Sequence, residues 1–360
     1  MLLTRLQVRQ LRCLVEAELE LAPGLNLITG ANGAGKSSLI EAVHLLGYAR
    51  SFRGRVSDGL IRTGASDLEV YAEWLDGHQQ PHRAGLRHGG SRWQARMDGA
   101  AAPSLTELCA QVAVVTFEPG SHDLIAGGAE HRRRYLDWGL FHVEPAFVPH
   151  WRRYARALKQ RNALLKSGPG HAALLPWDRE LAEAGEGLTR LREAYLEELE
   201  PFLADQAQAF LAELGVASLE FRPGWKRVDL SLADALLLSR ERDQAQGHTT
   251  VGPHRADWRL QFTGLPGREA LSRGQEKLSA LACVLAQAQH LAARRGDWPV
   301  ICLDDLASEL DLAHQRQVLQ AAVGSGAQVL LTGTQVPDAL TDGAFPYRLF
   351  HVEQGVVQRA

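Results

Sequence analysis

Eight consecutive residues constrain this chain more than any others: Gly30-Ala31-Asn32-Gly33-Ala34-Gly35-Lys36-Ser37. They satisfy G-x-x-x-x-G-K-[ST] at every fixed position, the pattern of a phosphate-binding loop, or P-loop. The flanks agree with that reading. Leu25-Asn26-Leu27-Ile28-Thr29 reads as a short buried strand, and Ser38 to Leu46 as a helix with an apolar face. Glycines let the main chain approach a phosphate with its N–H groups turned inward, and the following helix adds the partial positive charge of its N-terminus. Lys36 can reach the β and γ phosphates and the Ser37 hydroxyl can hold Mg²⁺. Gly30 through Ser38 is therefore the expected nucleotide cradle, with ATP and Mg²⁺ as cofactors.

A triphosphate site needs an acid for its metal. Val300-Ile301-Cys302-Leu303-Asp304-Asp305 places two acids at the C-terminal end of an apolar run, where ligands sit in open α/β sheets. Asp304 is expected to hold Mg²⁺ through water, and Asp305 to orient or activate the attacking water. Leu271-Ser272-Arg273-Gly274-Gln275 then stands directly before a helix from Glu276. Ser272 can cap that helix, and Gly274 lets a phosphate approach its free N–H groups. One chain already has its P-loop. A second anion site at Ser272, Gly274 and Gln275 is best used in trans, against the nucleotide held by another copy.

Around these motifs the 360 residues leave room for about two domains. Hydrophobic residues are 45% and charged ones 22%, ordinary for a soluble globular protein, and no apolar run is long enough to span a membrane. A cytoplasmic protein is expected. Cys13, Cys109, Cys283 and Cys302 lie far apart and read as reduced thiols, not as a disulfide frame or zinc site. Residues 2–21 alternate as a hairpin does. Residues 51–100 read as an antiparallel meander with loops at Asp76-Gly77 and His88-Gly89-Gly90, and Gln111 to Phe117 as a buried strand. From about 121 to 215 the helical period dominates. Trp151, Tyr154, Ala155, Leu158, Asn162 and Leu165 fall on one stripe, Gly168-Pro169-Gly170 breaks the helix, and Leu181, Leu188, Leu191, Tyr195, Leu199 and Phe202 recur on a second. Two such helices make a short antiparallel arm. Strand and helix alternate again from about 249, where Trp258 to Phe262 alternates, and Val300 to Leu303 and Val329 to Leu331 suit a mostly parallel sheet. The expected fold is an α/β head built from 1–120 and 249–360, with a helical lobe, 121–248, inserted into it.

A net charge of −3 gives no reason to expect nucleic acid, but its distribution does. His131 to Lys166 carries nine Lys/Arg against two acids, and Asp178 to Glu213 ten acids against three Arg. The phosphate-contact candidates are Arg132, Arg133, Arg134, Arg152, Arg153, Arg156, Lys159 and Arg161. If about six of them neutralise phosphates, log affinity falls with log salt at a slope near −5. The alternative is that the two charge blocks pair the helices with each other. No base-reading motif is present, so binding would be structure-selective or non-specific.

The P-loop, the Leu271 to Gln275 segment, and Leu303 to Asp311 with its S-x-L-D together resemble the ABC-type ATPases. Within them the chain is similar to the RecF family, bacterial recombination mediators related to the SMC proteins. Ala49-Arg50-Ser51-Phe52-Arg53, Arg132 to Trp138, Lys159-Gln160-Arg161-Asn162 and Gly252-Pro253-His254-Arg255 also match. The resemblance implies an ATP-dependent homodimer on gapped, single-stranded or junction DNA, with slow, DNA-stimulated ATP hydrolysis. It implies work with RecR, and more distantly RecO, in recombinational repair, replication-fork maintenance and SOS induction. The chain departs from the general ABC pattern in four places. Arg273 replaces a glycine. Asp305 stands where most carry glutamate, one methylene longer, so hydrolysis should be slow. No glutamine follows Phe117, Glu118 being nearest, and Thr332 or Thr334 stands in the region of the switch histidine. Three rival readings fit the chain less well. An ABC transporter subunit would place its signature soon after the P-loop, whereas a long insertion separates Gly35 from Gly274. A small-molecule P-loop kinase would have no use for Ser272 to Gln275 or Ser308 to Asp311. A structural SMC-like linker would need a longer coiled coil.

Overall fold

A computed structural model describes every residue except 55–58, 90–91, 169–170, 266–270, 342, 344 and 360, with only the main chain of residues 171 and 359. Gly90, Pro169 and Gly170, expected in turns, lie outside the described residues. The chain forms two units, Met1–Ser121 with Ser272–Ala360, and His122–Leu271. No helix among the described residues is long and apolar enough to cross a membrane.

In the first unit, alternation of apolar and polar residues produces an antiparallel sheet. The hairpin Leu2–Leu11 and Leu14–Glu20 continues through Asp67–Leu75, Pro81–Gly89, Arg92–Met97 and Ala100–Ala101. Leu6, Val8, Leu68, Val70, Trp74 and Leu86 on one face share a core with Leu39, Ile40, Val43 and Leu46 of the helix Lys36–Tyr48. The other face carries cross-strand ion pairs, Arg5 with Glu18 and Arg9 with Glu16. A second sheet runs in the order Val356–Arg359, Tyr347–Glu353, Leu25–Thr29, Val329–Gly333, Val300–Leu303, Val114–Phe117, all parallel except the first pair. Leu25–Thr29, Val300–Leu303 and Val329–Gly333 are buried at every position, as parallel strands covered on both faces must be. The strand expected from Gln111 begins only at Val114. Ser104 accepts from the Glu107 N–H and starts a short helix, Leu105–Gln111, that takes the residues before it.

The second unit is built on the helices Ala129–Val143, Phe147–Ser167 and Leu175–Phe210. The buried face of Phe147–Ser167 is offset from the expected stripe: Tyr154, Ala157, Arg161 and Leu165 are buried, while Trp151 stays 45% exposed. The cause is a charged residue that spacing assigns to solvent. Arg161 is fully buried; its Nε donates to Asp178 at 2.6 Å, and one terminal nitrogen to Asp243 at 2.7 Å and Thr249 at 2.8 Å. Arg161 therefore leaves the set of phosphate contacts. The strand Asp257–Phe262 pairs antiparallel with Ala217–Arg222, and the Trp258 indole N–H donates to the Arg132 carbonyl at 2.9 Å. These bonds hold the stretch after 249 to the helical unit, so the border drawn at 248/249 from the sequence falls at 271/272 in the structure.

Removing one member of a buried ion cluster leaves the others uncompensated, at about 3–5 kcal/mol. Arg161→Met should therefore lower the denaturant midpoint of the full chain strongly. Arg134→Ala, on the exposed surface, should leave it unchanged.

Candidate nucleotide site

The P-loop backbone takes the conformation its glycines permit. Gly30, Gly33 and Gly35 have φ of 151°, 80° and 118°. A Cβ on Gly30 would lie 2.2 Å from the Val352 carbonyl oxygen, and one on Gly35 would lie 2.7 Å from a Leu14 methyl. The loop is thus pressed between neighbouring segments and admits no side chain at either position. Lys36 is 7% exposed, and its Nζ donates to the Gly30 and Ala31 carbonyls at 2.8 and 3.0 Å, holding the ammonium inside the loop.

Beside it lies a pocket of about 350 Å³ lined by Asn32, Gly33, Lys36, Ser37, Arg53 and Asp305, with Arg12 at its wall. The Arg12 guanidinium grips Glu41 at 3.0 and 2.8 Å, and the Ser51 hydroxyl donates to the same carboxylate. Glu41 is fully buried on the P-loop helix, so its charge fixes Arg12 against the pocket. Sequence reasoning did not anticipate Arg12 or Arg53 as site residues. The available signals were an acid on the buried face of the helix, for Arg12, and the Ala49 to Arg53 stretch, for Arg53.

Asp304 is 2% exposed at the end of Val300–Leu303. The Thr332 hydroxyl donates to Asp304 Oδ1 at 2.6 Å and accepts from the Asp305 N–H at 2.9 Å, bridging the two acids. Burial raises the Asp304 carboxyl above its usual range, opposed by hydrogen bonds from Thr332 and Ser37. Of the two threonines near the switch position, Thr332 is the buried one that meets the acids, and Thr334 is exposed. Asp305 itself has φ 55°, a left-handed position that turns the chain into the short helix Leu306–Glu309. Glu118 folds back on its own loop, accepting from the Gly120 N–H at 2.7 Å.

Ser272 starts the helix Arg273–Arg295 with a complete capping box: Gln275 N–H to Ser272 Oγ, and Ser272 N–H to Gln275 Oε1. A Cβ on Gly274 would meet nothing within 4 Å, so packing inside the chain does not require glycine there. Lys277, on the next turn, pairs with Glu309 at 2.6 Å and ties this helix to the segment that follows Asp305.

The basic candidates of the second unit divide. Arg132 binds Asp257 at 2.6 and 3.2 Å and the Leu124, Ile125 and Gly127 carbonyls, so it is a structural clamp and also leaves the set of phosphate contacts. Arg153 commits its fork to Glu180 at 2.9 and 3.0 Å, with Glu183 at 3.2 Å, which is the helix pairing that the opposite charge blocks suggested. Arg133 is half-buried and donates to the Ala256 carbonyl. Arg134, Arg152, Arg156 and Lys159 are exposed.

The profile of the RecF/RecN/SMC N-terminal domain matches residues 2–358. The chain is 58% identical over 359 residues to the DNA replication and repair protein RecF of Xanthomonas axonopodis pv. citri, covering 99% of this chain and 98% of that one. It is 56% identical over 361 residues to the protein of the same name from Stenotrophomonas maltophilia, covering 99% of each. Among solved structures, the recombination mediator protein RecF with ATP superposes with a TM-score of 0.87 at 28% identity, covering 100% of this chain and 97% of that one. An SMC head bound to a winged-helix domain of ScpA, at TM-score 0.61 and 15% identity, shares the fold.

The hydroxyl bridge is testable by an isosteric change. A hydrogen bond to a charged group contributes about 1.5–3 kcal/mol, so Thr332→Val should lower ATP turnover by roughly ten- to a hundredfold with ATP binding retained, and Thr332→Ser should recover most of it. Gly30→Ala, which drives a methyl into the Val352 carbonyl, should abolish binding itself. Equilibrium binding of a fluorescent ATP analogue beside steady-state turnover separates the two effects.

Proposed function

The chain belongs to the RecF/RecN/SMC family, in its RecF branch, and on that premise we propose that ATP joins two copies of it on DNA and that slow hydrolysis releases them. The chain is an ATP-binding protein of DNA replication and repair, acting in the RecF pathway. What carries the dimer reading is the division of the site. The first unit holds a P-loop pocket with Lys36, Asp304 and Asp305, and it also offers an exposed, capped helix start at Ser272 whose Gly274 has open space above it. A glycine that no intramolecular packing demands suits close approach by something outside the chain.

Ser37 and Asp304 form a set of hard oxygen donors in contact with each other, which suits Mg²⁺. When bound there, the ion would offset charge on the β and γ phosphates. Lys36 would bind the phosphates, and Asp305, placed by its N–H bond to Thr332, would orient water. Its carboxylate is one methylene shorter than glutamate, which fits a switch rather than a fast enzyme. DNA would lie on the exposed cations Arg134, Arg152, Arg156 and Lys159 of the second unit. RecR and, more distantly, RecO are the expected protein partners. The deep insertion between Gly35 and Gly274, and the Ser272 and Ser308 segments, disfavour a transporter subunit or a small-molecule kinase.

Sedimentation velocity tests the dimer. The chain should be monomeric alone and dimeric with a non-hydrolysable ATP analogue. Lys36→Met should stay monomeric in both, and Ser272→Arg should bind the analogue without dimerising; a wild-type monomer at saturating analogue would sink the reading. For DNA, four phosphate contacts give a log–log salt slope of about −3.6 per protomer, shallower than the value near −5 reached from sequence. Arg152→Ala with Arg156→Ala should flatten that slope by about two contacts, and a slope unmoved by both would remove this face from the DNA interface.

A further inference from the structure

The second unit contains a pocket of about 350 Å³ that no role described so far explains. Its lining combines the Trp151 indole, the three guanidinium groups of Arg133, Arg134 and Arg192, the carboxylates of Glu130 and Asp137, and apolar side chains. Trp151, 45% exposed, lines it together with Leu158 and Leu188. Arg133 and Arg134 lie on the adjoining helix Ala129–Val143 and line the same space.

The polar atoms of the pocket differ in how far the chain itself pairs them. Arg192 is satisfied: it donates twice to Asp137 Oδ1, at 3.1 and 2.7 Å, and once to the Pro253 carbonyl at 2.8 Å. His254 Nε2 donates to the Thr249 carbonyl at 3.0 Å, which leaves Nδ1 to accept from the Tyr154 hydroxyl at 2.6 Å, so this pair is neutral and closed. Burial holds His254 down to about 4, in keeping with a neutral ring. Among the described residues Arg133 makes one hydrogen bond, to the Ala256 carbonyl; burial beside Arg192 lowers its pKa, against the charges of Glu130, Asp257 and Asp137. Arg134 is exposed and makes no ion pair among the described residues. Glu130 also lines the pocket; a backbone hydrogen bond lowers its pKa first, and the charges of His131, Arg133 and Arg134 add to this against burial, so it offsets part of their charge. With three arginines against two carboxylates in its lining, the pocket presents one net positive charge next to a half-exposed indole.

We propose that this pocket receives one unpaired nucleotide of DNA, with Arg133 and Arg134 on its phosphate and Trp151 stacked on its base. Every base has a π-face, so stacking on an aromatic side chain beside cations recognises single-stranded nucleic acid without reading sequence. A base paired within a duplex has both faces covered and cannot enter. The pocket would thus add to the exposed cations, which cannot tell duplex from gap, a contact that only unpaired DNA makes. The volume falls in the range of small-ligand pockets. The inference rests on the DNA-binding reading given above, and it fails separately from it.

The test uses the full chain with a non-hydrolysable ATP analogue and two DNAs of equal length, one fully duplex and one gapped with 2-aminopurine in the gap. Trp151→Ala should weaken gapped DNA roughly tenfold and leave duplex unchanged, as expected for the loss of one stacking contact. Trp151→Phe should keep most of the affinity. The 2-aminopurine emission should be quenched by wild type and Trp151→Phe and restored with Trp151→Ala. Because Trp151 is 45% exposed and outside the buried face of its helix, its truncation should not unfold the chain. Equal loss on both DNAs, or no loss on either while DNA is still bound, overturns the pocket and leaves the DNA-binding reading standing. Displacement of the quenched DNA from the pocket by micromolar free dAMP overturns it in favour of a free-nucleotide site. Absence of any DNA binding by wild type overturns both.

Discussion

The structure of the head depends on one pairing: the strand Leu25–Thr29, near the start of the chain, lies between Val329–Gly333 and Tyr347–Glu353, near its end. The Thr29 hydroxyl donates to the Phe350 carbonyl across 321 residues of sequence. Gly30 then packs against Val352 so closely that no side chain fits. The P-loop is therefore not a local motif that folds and waits for the rest. Its shape is set by strands made last, and a competent nucleotide site reports that both ends of the chain have joined. A lobe inserted at Ser121 and leaving at Ser272 is compatible with this because closure entropy grows only logarithmically with loop length, about 0.6 kcal/mol per doubling. A lobe with its own core shortens the effective loop further.

That dependence explains what could and could not be read from the sequence. The P-loop, the acids at Asp304 and Asp305, and the capped helix at Ser272 are each fixed by chemistry within a few residues; the structure puts Lys36, Ser37 and Asp305 on one pocket, with Asp304 bonded to Ser37, and leaves the Ser272 helix start exposed. The two sheets were legible in kind, since alternation marks the hairpin and meander and apolar runs mark the parallel strands. Their order was not. Arg12 reaches the pocket only because Glu41 is buried one helix away, and Thr332 was one of two threonines until burial singled it out. Such contacts join residues whose spacing carries no period. The border near 249 was misplaced for the same reason: the alternation of Trp258 to Phe262 shows that a strand exists, not which sheet receives it.

The arginines give the opposite lesson. A basic run on a helix reads as a solvated or DNA-facing surface, yet Arg132 and Arg161 spend their donors on buried or half-buried carboxylates and carbonyls. Guanidinium groups serve both purposes because the same planar fork that fits phosphate also fits carboxylate. Only burial separates the two uses. Once the structural arginines are set aside, the remaining cations, Arg134, Arg152, Arg156 and Lys159, form a smaller exposed set, and Trp151 is left beside them because Arg161 and Tyr154 took the inward face of its helix.

Thr332 shows how a different residue at the switch position changes the chemistry of the site. A histidine would titrate near neutral pH and could carry a proton or a charge toward the γ phosphate. A fully buried threonine can do neither. What it does is hold the Asp304 carboxylate and the Asp305 main chain in one fixed relation, by donating to the first and accepting from the second. The acids are thus oriented before any nucleotide arrives, and Asp305, in a left-handed conformation, leads directly into the helix that Lys277 ties to the Ser272 end of the long helix. A partner that presses on Ser272 would act on Asp305 through that ion pair rather than through a titrating side chain. The relation between the two acids is thus set by the geometry of one buried hydroxyl and not by the protonation of a side chain.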